Sequence, residues 1–251
     1  MTPLTMKLEQ CTALSEAERR RLDRLSEFPA KHFDAGDVIL AEGQRVDRIH
    51  LVTDGFAARV KSLPDGLRQI VAFMIPGDLC DLEVFVLERM DHDIIAMAPT
   101  RCALIPMQEI TELLTEVTTL TKALWWSTMT DLAVLRNRIV DQGRREAPER
   151  LAHLFYELLI RYRMIGMAAD NSYPLPLSQT GLADAAGISP VHANRSLSLL
   201  RAERLVELDR GVVTVLNPAG LKRIAGFEAG YLHMARTEHP TNVSHRAEDL
   251  I

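Results

Sequence analysis

The chain has little cysteine. Its three thiols, Cys11, Cys80 and Cys102, lie far apart and form no CxxC pair. That pattern excludes a disulfide framework and a tetrahedral zinc site. Three reduced, partly buried thiols are expected. Long apolar runs are also missing, and no stretch reaches the length needed to cross a bilayer. The first residues, MTPLTMKLEQ, lack the apolar core of a signal peptide, so the expected compartment is the cytoplasm. There is no nucleophile elbow, phosphate loop or zinc-helix motif. His, Asp and Cys occur, but at no spacing that builds a site. An enzyme is therefore not expected, and neither a cofactor nor a resident metal.

Positive charge is scarce as well: 251 residues carry 29 Lys/Arg against 34 Asp/Glu, a net charge of −5. Taken whole, this argues against a nucleic-acid partner. The distribution reverses the argument. Residues 143–230 hold 11 Lys/Arg and 9 Asp/Glu, whereas residues 1–142 hold 16 and 22. The small basic excess falls on the second half.

That half contains SQTGLADAAGISPVHANRSLSLLRAERLV, from Ser178 to Val206. TGLADAA forms helix, and Gly187 ends it, since glycine accepts the left-handed conformation of a tight turn. Ser189 caps a second helix, with Pro190 at its first position. Ala193, Leu197 and Leu200 fall on its inner side, while His192, Arg195 and Ser196 fall largely outside that stripe. Two short helices joined by a glycine turn, with a polar outer face on the second, make a helix-turn-helix. Leu205–Leu208 and Val212–Leu216 then read as two strands about the turn Asp209-Arg210-Gly211, which adds a wing.

Upstream, Ser15 and Glu18 form a capping box for a helix over residues 15–27. From about Pro29, short apolar segments (VILAEG, RIHLVTDG, AARVKSL, RQIVAFM) alternate with turns at Gly36, Gly43, Gly55, Gly66 and Gly77. Strand signals resume at Asp93–Met97 and Ala103–Pro106. Regular short strands imply an antiparallel sandwich, jelly roll or barrel. Near Met107 the period becomes helical and continues to Gly143. Val117, Leu120, Leu124, Thr128, Leu132, Leu135 and Ile139 step by three or four, a stripe resembling a coiled coil. One helix cannot bury such a stripe unaided, so a homodimer is expected. A further helix, EAPERLAHLFYELLIRYRMIG, buries Leu151, Leu154, Phe155, Leu158 and Leu159. Residues 167–176 read as a loop, NPAGLKRIAGFEAGYLHMA as a last helix, and the final dozen residues as a disordered tail. The expected class is thus α+β. A sensor β-domain spans 1–108, a dimerisation helix 109–143, a winged helix-turn-helix 144–218, and a C-terminal helix and tail 219–251.

This order of parts resembles the Crp/Fnr family of bacterial transcription regulators over roughly residues 10–218. PLSQTGLADAAGISPVHANRSLSLLRAERLV resembles the family's DNA-binding signature. IHLVTDGFAARV and PGDLCDLEVF resemble its sensor segments, the latter its PGD-x-x-G-E stretch. The resemblance implies a homodimer on a two-fold symmetric site of double-stranded DNA, one recognition helix in each of two consecutive major grooves. Ser189, Pro190, Val191, His192 and Arg195 then face bases and phosphates, and Arg195 stands where the family keeps its guanine-reading arginine. Ser178, Gln179 and Thr180 could hold a phosphate at the start of the preceding helix. The family's founder has Arg and Glu where this chain has Pro190 and Val191, so a different operator is expected. Val191 suits a thymine methyl, and His192 offers a replacement contact. RNA polymerase and an unidentified small-molecule effector stand as further partners.

Cyclic-nucleotide binders of the family place Gly-Glu early in the phosphate cassette and Arg-Ser after it. Here those places hold Asp81-Leu82 and His92-Asp93. Leucine cannot accept the ribose hydrogen bond, and an aspartate beside the phosphate repels it. A one-residue shift brings Glu83 close but restores no arginine. Asp81, Leu82, Glu83, His92, Asp93 and Thr128 are the effector-pocket candidates, with cyclic AMP not expected to bind in the usual way. The alternative is a cyclic-nucleotide-responsive regulator with an unorthodox cassette. Three cysteines cannot supply the four ligands of an iron–sulfur cluster. The histidines read as surface or loop residues rather than haem ligands, and Asp91-His92-Asp93 as a solvated loop.

Overall fold

The computed structural model describes residues 1–234, apart from the side chains of Val84, Phe85 and Glu116. It opens with a helix that the sequence reading did not anticipate. α1 (Pro3–Leu8) is capped by Thr2, whose hydroxyl accepts the Thr5 N–H, and proline occupies its first turn. α2 (Glu16–Leu25) has the expected box: Ser15 Oγ accepts the Glu18 N–H, and the Glu18 carboxylate accepts the Ser15 N–H at 2.7 Å.

Seven antiparallel strands follow: β1 (Ala30–Phe33), β2 (Val38–Leu40), β3 (Arg48–Asp54), β4 (Ala57–Ser62), β5 (Arg68–Met74), β6 (Asp93–Ala96) and β7 (Thr100–Pro106), with the short helix α3 (Val84–Leu87) between β5 and β6. They form two sheets, β1-β7-β3 and β2-β6-β4-β5, around a shared apolar core. The barrel alternative is corrected: the sheets remain separate, because β1 and β2 are only four and three residues long and end before bridging them. The β4–β5 turn is the expected Leu63-Pro64-Asp65-Gly66, closed by the Leu63 N–H donating to the Leu67 carbonyl at 2.7 Å.

The single long helix is corrected to two, α4 (Met107–Glu116) and α5 (Thr118–Arg144). Val117 leaves helical space at φ −130°, ψ 96°. The β-branched run Val117-Thr118-Thr119 disfavours continuous helix there. Thr121 Oγ1 reaches the Leu114 carbonyl left over at the break at 2.8 Å, sharing its O–H with Val117 O at 3.0 Å, which also accepts the Thr121 N–H. Gly143 does not end the run; the chain turns one residue past Arg144.

α6 (Ala147–Met164) buries Leu151, Leu154, Phe155, Leu158 and Leu159 as read. The expected loop 167–176 contains β8 (Ser172–Pro174), entered through Asp170 and Asn171, both left-handed. Then come α7 (Gln179–Ala186), α8 (Pro190–Ala202), β9 (Val206–Asp209), β10 (Val212–Val215) and α9 (Pro218–Ala225). β8-β10-β9 form one sheet, so the wing has three strands rather than two. A 3₁₀ turn over Ala229–Leu232 folds back onto α5 and α6, where Tyr231 Oη donates to Glu157 at 2.9 Å and Trp126 Nε1 to His233 O at 3.0 Å. The expected disordered tail lies outside the described residues.

The two halves share a core. Phe56, Ala58, Val60, Ile70 and Phe73 of the sensor sheet pack in one cluster with apolar residues of α6, α7 and α8. Arg68 Nε donates to Asp184 Oδ2 and Gln69 Nε2 to Asp184 O, both at 2.6 Å, tying β5 to α7. Buried ion pairs also cross the joint. Asp78 meets Lys7 and Arg161 at 2.7 Å each. Glu157 meets Arg138 at 3.2 Å, and Asp141 meets Arg138 at 3.4 Å and Arg145 at 2.5 Å.

Burial disfavours the Asp78 charge, but Lys7 and Arg161 more than offset it and hold its carboxyl below the ordinary value. Burial likewise opposes the Asp141 charge, and His153, Arg138 and Arg145 outweigh it. A depressed folded-state pKa contributes stability that is present above the unfolded value. That stability is lost as pH falls through the folded value. Asp78→Asn should therefore cost about 3–5 kcal/mol near neutrality. Its unfolding free energy should also decline less steeply than the parent's from about pH 5 to about pH 2. Denaturant unfolding across a pH series measures both, and equal steepness would place the acid-sensitive group elsewhere.

Candidate DNA-binding face and sensor cavity

The candidate DNA-binding face is built from caps. Ser178 Oγ accepts the Gly181 N–H at 3.1 Å and starts α7. Gly187 ends it at φ 63°, ψ 41°, and an added Cβ there would run into the Gln142 side chain. Glycine is thus required for conformation, and a larger residue would also have to displace the end of the Gln142 side chain. Ser189 Oγ accepts the His192 N–H at 3.3 Å and starts α8. Both hydroxyls keep their own O–H to donate outward.

α8 has two unlike sides. Ala193, Leu197 and Leu200 are buried, as expected. Ser196 is buried too, which corrects its outward placement: it lies three residues from Ala193 and follows it into the core. Pro190, Val191, His192 and Arg195 are exposed, Val191 at 79%. Ser178, Gln179 and Thr180 are exposed at the start of α7. Asn194 Nδ2 donates to Gln179 Oε1 at 2.7 Å, so the two sets of residues adjoin. The sequence reading missed Asn194, because its partner lies across the turn on another helix. The wing turns at Arg210-Gly211, both with positive φ (47° and 77°), the hairpin geometry that matches strand twist.

A cavity of about 330 Å³ lies between β4, the segment around residues 79–92, and α5. Leu82, Glu83, His92 and Thr128 line it, as expected. Asp81 does not. It is fully buried, accepting the His50 N–H and facing His50 Nδ1, each at 2.8 Å, because the 79–81 segment runs along β3. Asp93 does not either: as the first residue of β6 it accepts the Glu42 N–H at 2.7 Å. His92 is no solvated loop residue. It is 8% exposed, with Nδ1 at 2.5 Å from Asp91 and Nε2 at 3.7 Å from Glu83.

Arg59 on β4 was missed by the sequence reading. It is 7% exposed; Nη1 donates to Asp131 on α5 at 3.3 Å and Nη2 to Cys80 O at 3.2 Å. Glu83 stands 3.7 Å away. Burial disfavours the Arg59 charge, but Asp131 and Glu83 outweigh it and raise its pKa.

The long-helix stripe divides. Leu120 and Leu124 are buried within the chain, and Val117 packs against the same sensor core. This corrects their placement at a dimer face: the first turns of α5 cross the sensor core and use that side for it. Thr128, Leu132 and Leu135 line the cavity. Leu132 (42%) and Ile139 (72%) are exposed, joined by Trp125, Met129 and Val140. The exposed stripe therefore runs Trp125, Met129, Leu132, Arg136, Ile139, rotated from the expected one.

A family model described as a cyclic nucleotide-binding domain matches residues 30–117, and one described as a Crp-like helix-turn-helix domain matches residues 149–224. The nitrogen fixation regulation protein FixK of Bradyrhizobium diazoefficiens is 28% identical over 221 residues, covering 86% of this chain and 89% of that protein. The transcriptional activator protein Anr of Pseudomonas protegens is 24% identical over 225 residues, covering 89% and 88%. The solved structure of FixK2 from Bradyrhizobium japonicum shares the fold with a TM-score of 0.70 at 23% identity, covering 78% of this chain and 96% of that one.

Arg59→Met keeps the bulk and removes the charge, leaving Asp131 and Glu83 without their shared cation. The expected cost is about 1.5–3 kcal/mol, read as a lower midpoint of denaturant unfolding. An unchanged midpoint would mean that water already screens both carboxylates.

Proposed function

We propose that this chain, which belongs to the Crp/Fnr family of DNA-binding transcription regulators, acts as a homodimer that reads a two-fold symmetric DNA site with one α8 in each half-site. The carrying observation is the two-sided α8: Val191, His192 and Arg195 stand exposed over a buried inner face of Ala193, Ser196, Leu197 and Leu200. Such a helix can enter a major groove without unpacking its domain. In this reading Arg195 pairs with guanine O6 and N7, Val191 meets a thymine methyl, and Pro190 and His192 adjoin the groove wall. Ser178, Gln179, Thr180 and Ser189 hold the backbone.

The exposed stripe of α5 is the dimer face in this reading. Two α8 helices reading consecutive major grooves must then stand about 34 Å apart, one DNA turn. The sensor unit then comprises residues 1–117, the dimer helix 118–144 and the reading unit 145–218, with residues from 219 bracing the joint. The cavity does not take cyclic AMP in the usual way. The place where cyclic-nucleotide binders keep their arginine holds His92, Arg89 donates to Gly43 O, Arg59 is already engaged, and Glu83, Asp91 and Asp131 give the lining an acidic share. An effector of other chemistry and RNA polymerase remain the further partners, and the chain has no catalytic role. Among the described residues no helix is long and apolar enough to cross a membrane, and the cytoplasm is the compartment this reading requires.

Selection from a randomised duplex library, followed by sequencing, tests the DNA reading. A two-fold symmetric motif is expected; recovery of no motif with only weak, salt-sensitive binding would overturn effector-free recognition. Arg195→Ala should weaken binding to the recovered site by about 1–3 kcal/mol and relax one position of it. Leu132→Glu with Ile139→Glu should give monomers in sedimentation experiments with the fold intact. A double variant that sediments as a dimer would move the interface off α5. Titration of the parent with cyclic AMP in a calorimeter should give no binding heat.

A further inference from the structure

Gln179 and Asn194 come from different helices, and their side chains meet at the outer edge of the helix pair. Asn194 Nδ2 donates to Gln179 Oε1 at 2.7 Å. Gln179 is the first residue of α7, and Asn194 immediately precedes Arg195 on α8. A carboxamide carries one acceptor oxygen and one NH₂ group with two donors. With its oxygen tied to Asn194, Gln179 presents only N–H groups outward. Among the described residues, Gln179 Nε2 has no partner. A phosphate accepts hydrogen bonds and never donates them at neutral pH. An amide turned donor-outward therefore binds it, and one turned oxygen-outward repels it. The start of α7, with its free backbone N–H groups, favours the same anion.

We propose that Asn194 is a positioning residue for DNA binding: it fixes the Gln179 amide in the donor-outward orientation and holds the start of α7 in register with the reading residues of α8. This rests on α8 being the groove-entering helix. The bond has a second consequence. Reading adenine takes the oxygen and one N–H of an asparagine amide in one plane, and one of the two Asn194 N–H groups is already tied to Gln179, so the plane of that amide is set by α7. Asn194 therefore contributes affinity through Gln179 and carries no base preference of its own. Ala193 and Ser196, buried on either side of it, fix how α8 rolls and keep Asn194 directed at α7.

The test uses the full-length protein, a duplex carrying its selected site and an unrelated duplex, with affinities measured at fixed salt. Asn194→Ala should weaken binding to both duplexes alike, by about threefold to tenfold, with the selected motif and the melting temperature unchanged. Gln179→Ala should do the same, and the double variant should be no weaker than Gln179→Ala alone. Gln179→Glu keeps an acceptor for Asn194 but aims a carboxylate at the phosphate, so it should bind more weakly than Gln179→Ala at an unchanged melting temperature. Losses that multiply in the double variant, or a changed base at one position of the motif with Asn194→Ala, would overturn the proposal, because Asn194 would then act directly. Gln179→Glu binding as tightly as the parent would also overturn it. Arg195→Ala serves as the control for the groove assignment. If Asn194→Ala is silent while Arg195→Ala loses the selected site, only the positioning role fails. If both are silent, the assignment of α8 fails with it.

Discussion

The structure hangs on a line of buried charges of alternating sign. Lys7 on α1, Asp78 after β5, Arg161 and Glu157 on α6, then Arg138, Asp141 and Arg145 at the end of α5 follow one another at hydrogen-bond or ion-pair distance. Removing such groups from water is expensive, and leucines in their place could be equally stable. What apolar contact does not supply is direction. A greasy helix pair can slide by a fraction of a turn, whereas a carboxylate gripped by two guanidinium groups has one place to be. Arg145 also donates to the Ala225 carbonyl at 3.0 Å, so the line ends on α9, the helix that braces the joint. The angle between α5 and α6, and through it the pose of α8, is fixed by directed bonds.

A second tie acts in parallel and is mostly apolar. The sensor sheet and the helix pair bury one continuous cluster, and β5 grips the end of α7 through Arg68 and Gln69. Packed interiors respond to stress by switching between arrangements rather than stretching. The sensor therefore reaches the reading face by two routes of different character. One runs through charges along α5 and α6, and the other runs directly from β5 to α7.

What the sequence made legible was local. The capping box at Ser15, the turn at Gly187, the cap at Ser189 and the inner stripe of α8 each depend on residues within one or two turns of one another. Most strands of the sensor and wing were visible for the same reason, but β1 and β8, three or four residues long and paired only with distant strands, were not. What stayed hidden depends on pairing across the fold. Arg59 reads as one polar position in an alternating strand until α5 brings Asp131 to it. The bond between Asn194 and Gln179 spans a turn and two helices. The α5 stripe shows the limit most clearly. Its period was readable, but its phase was not, since nothing in a three-and-four spacing says which side faces the chain's own sheet. α1 is a different case: Thr2-Pro3 is a legible start signal that the unremarkable composition around it obscured.

Asp131 and Leu132 are neighbours on α5; Arg59 holds the first in the cavity, and the second lines the cavity's rim while reaching the exposed stripe. Adjacent helical residues point about 100° apart. Fixing Asp131 against the sensor sheet thus fixes the roll of α5 and, with it, which apolar side chains face outward. A small molecule that acted by displacing this pair alone would shift the balance by about 1.5–3 kcal/mol. Turning a two-state equilibrium from nearly all one form to nearly all the other takes about 5.5 kcal/mol. A ligand therefore cannot control α5 through Arg59 by itself; it must also engage other polar walls of the cavity, Glu83 and His92 among them. Until something does, Arg59 sets the orientation of α5 from within the chain. On the proposed reading, that single ion pair keeps the exposed stripe and α8 in one fixed relation without a ligand.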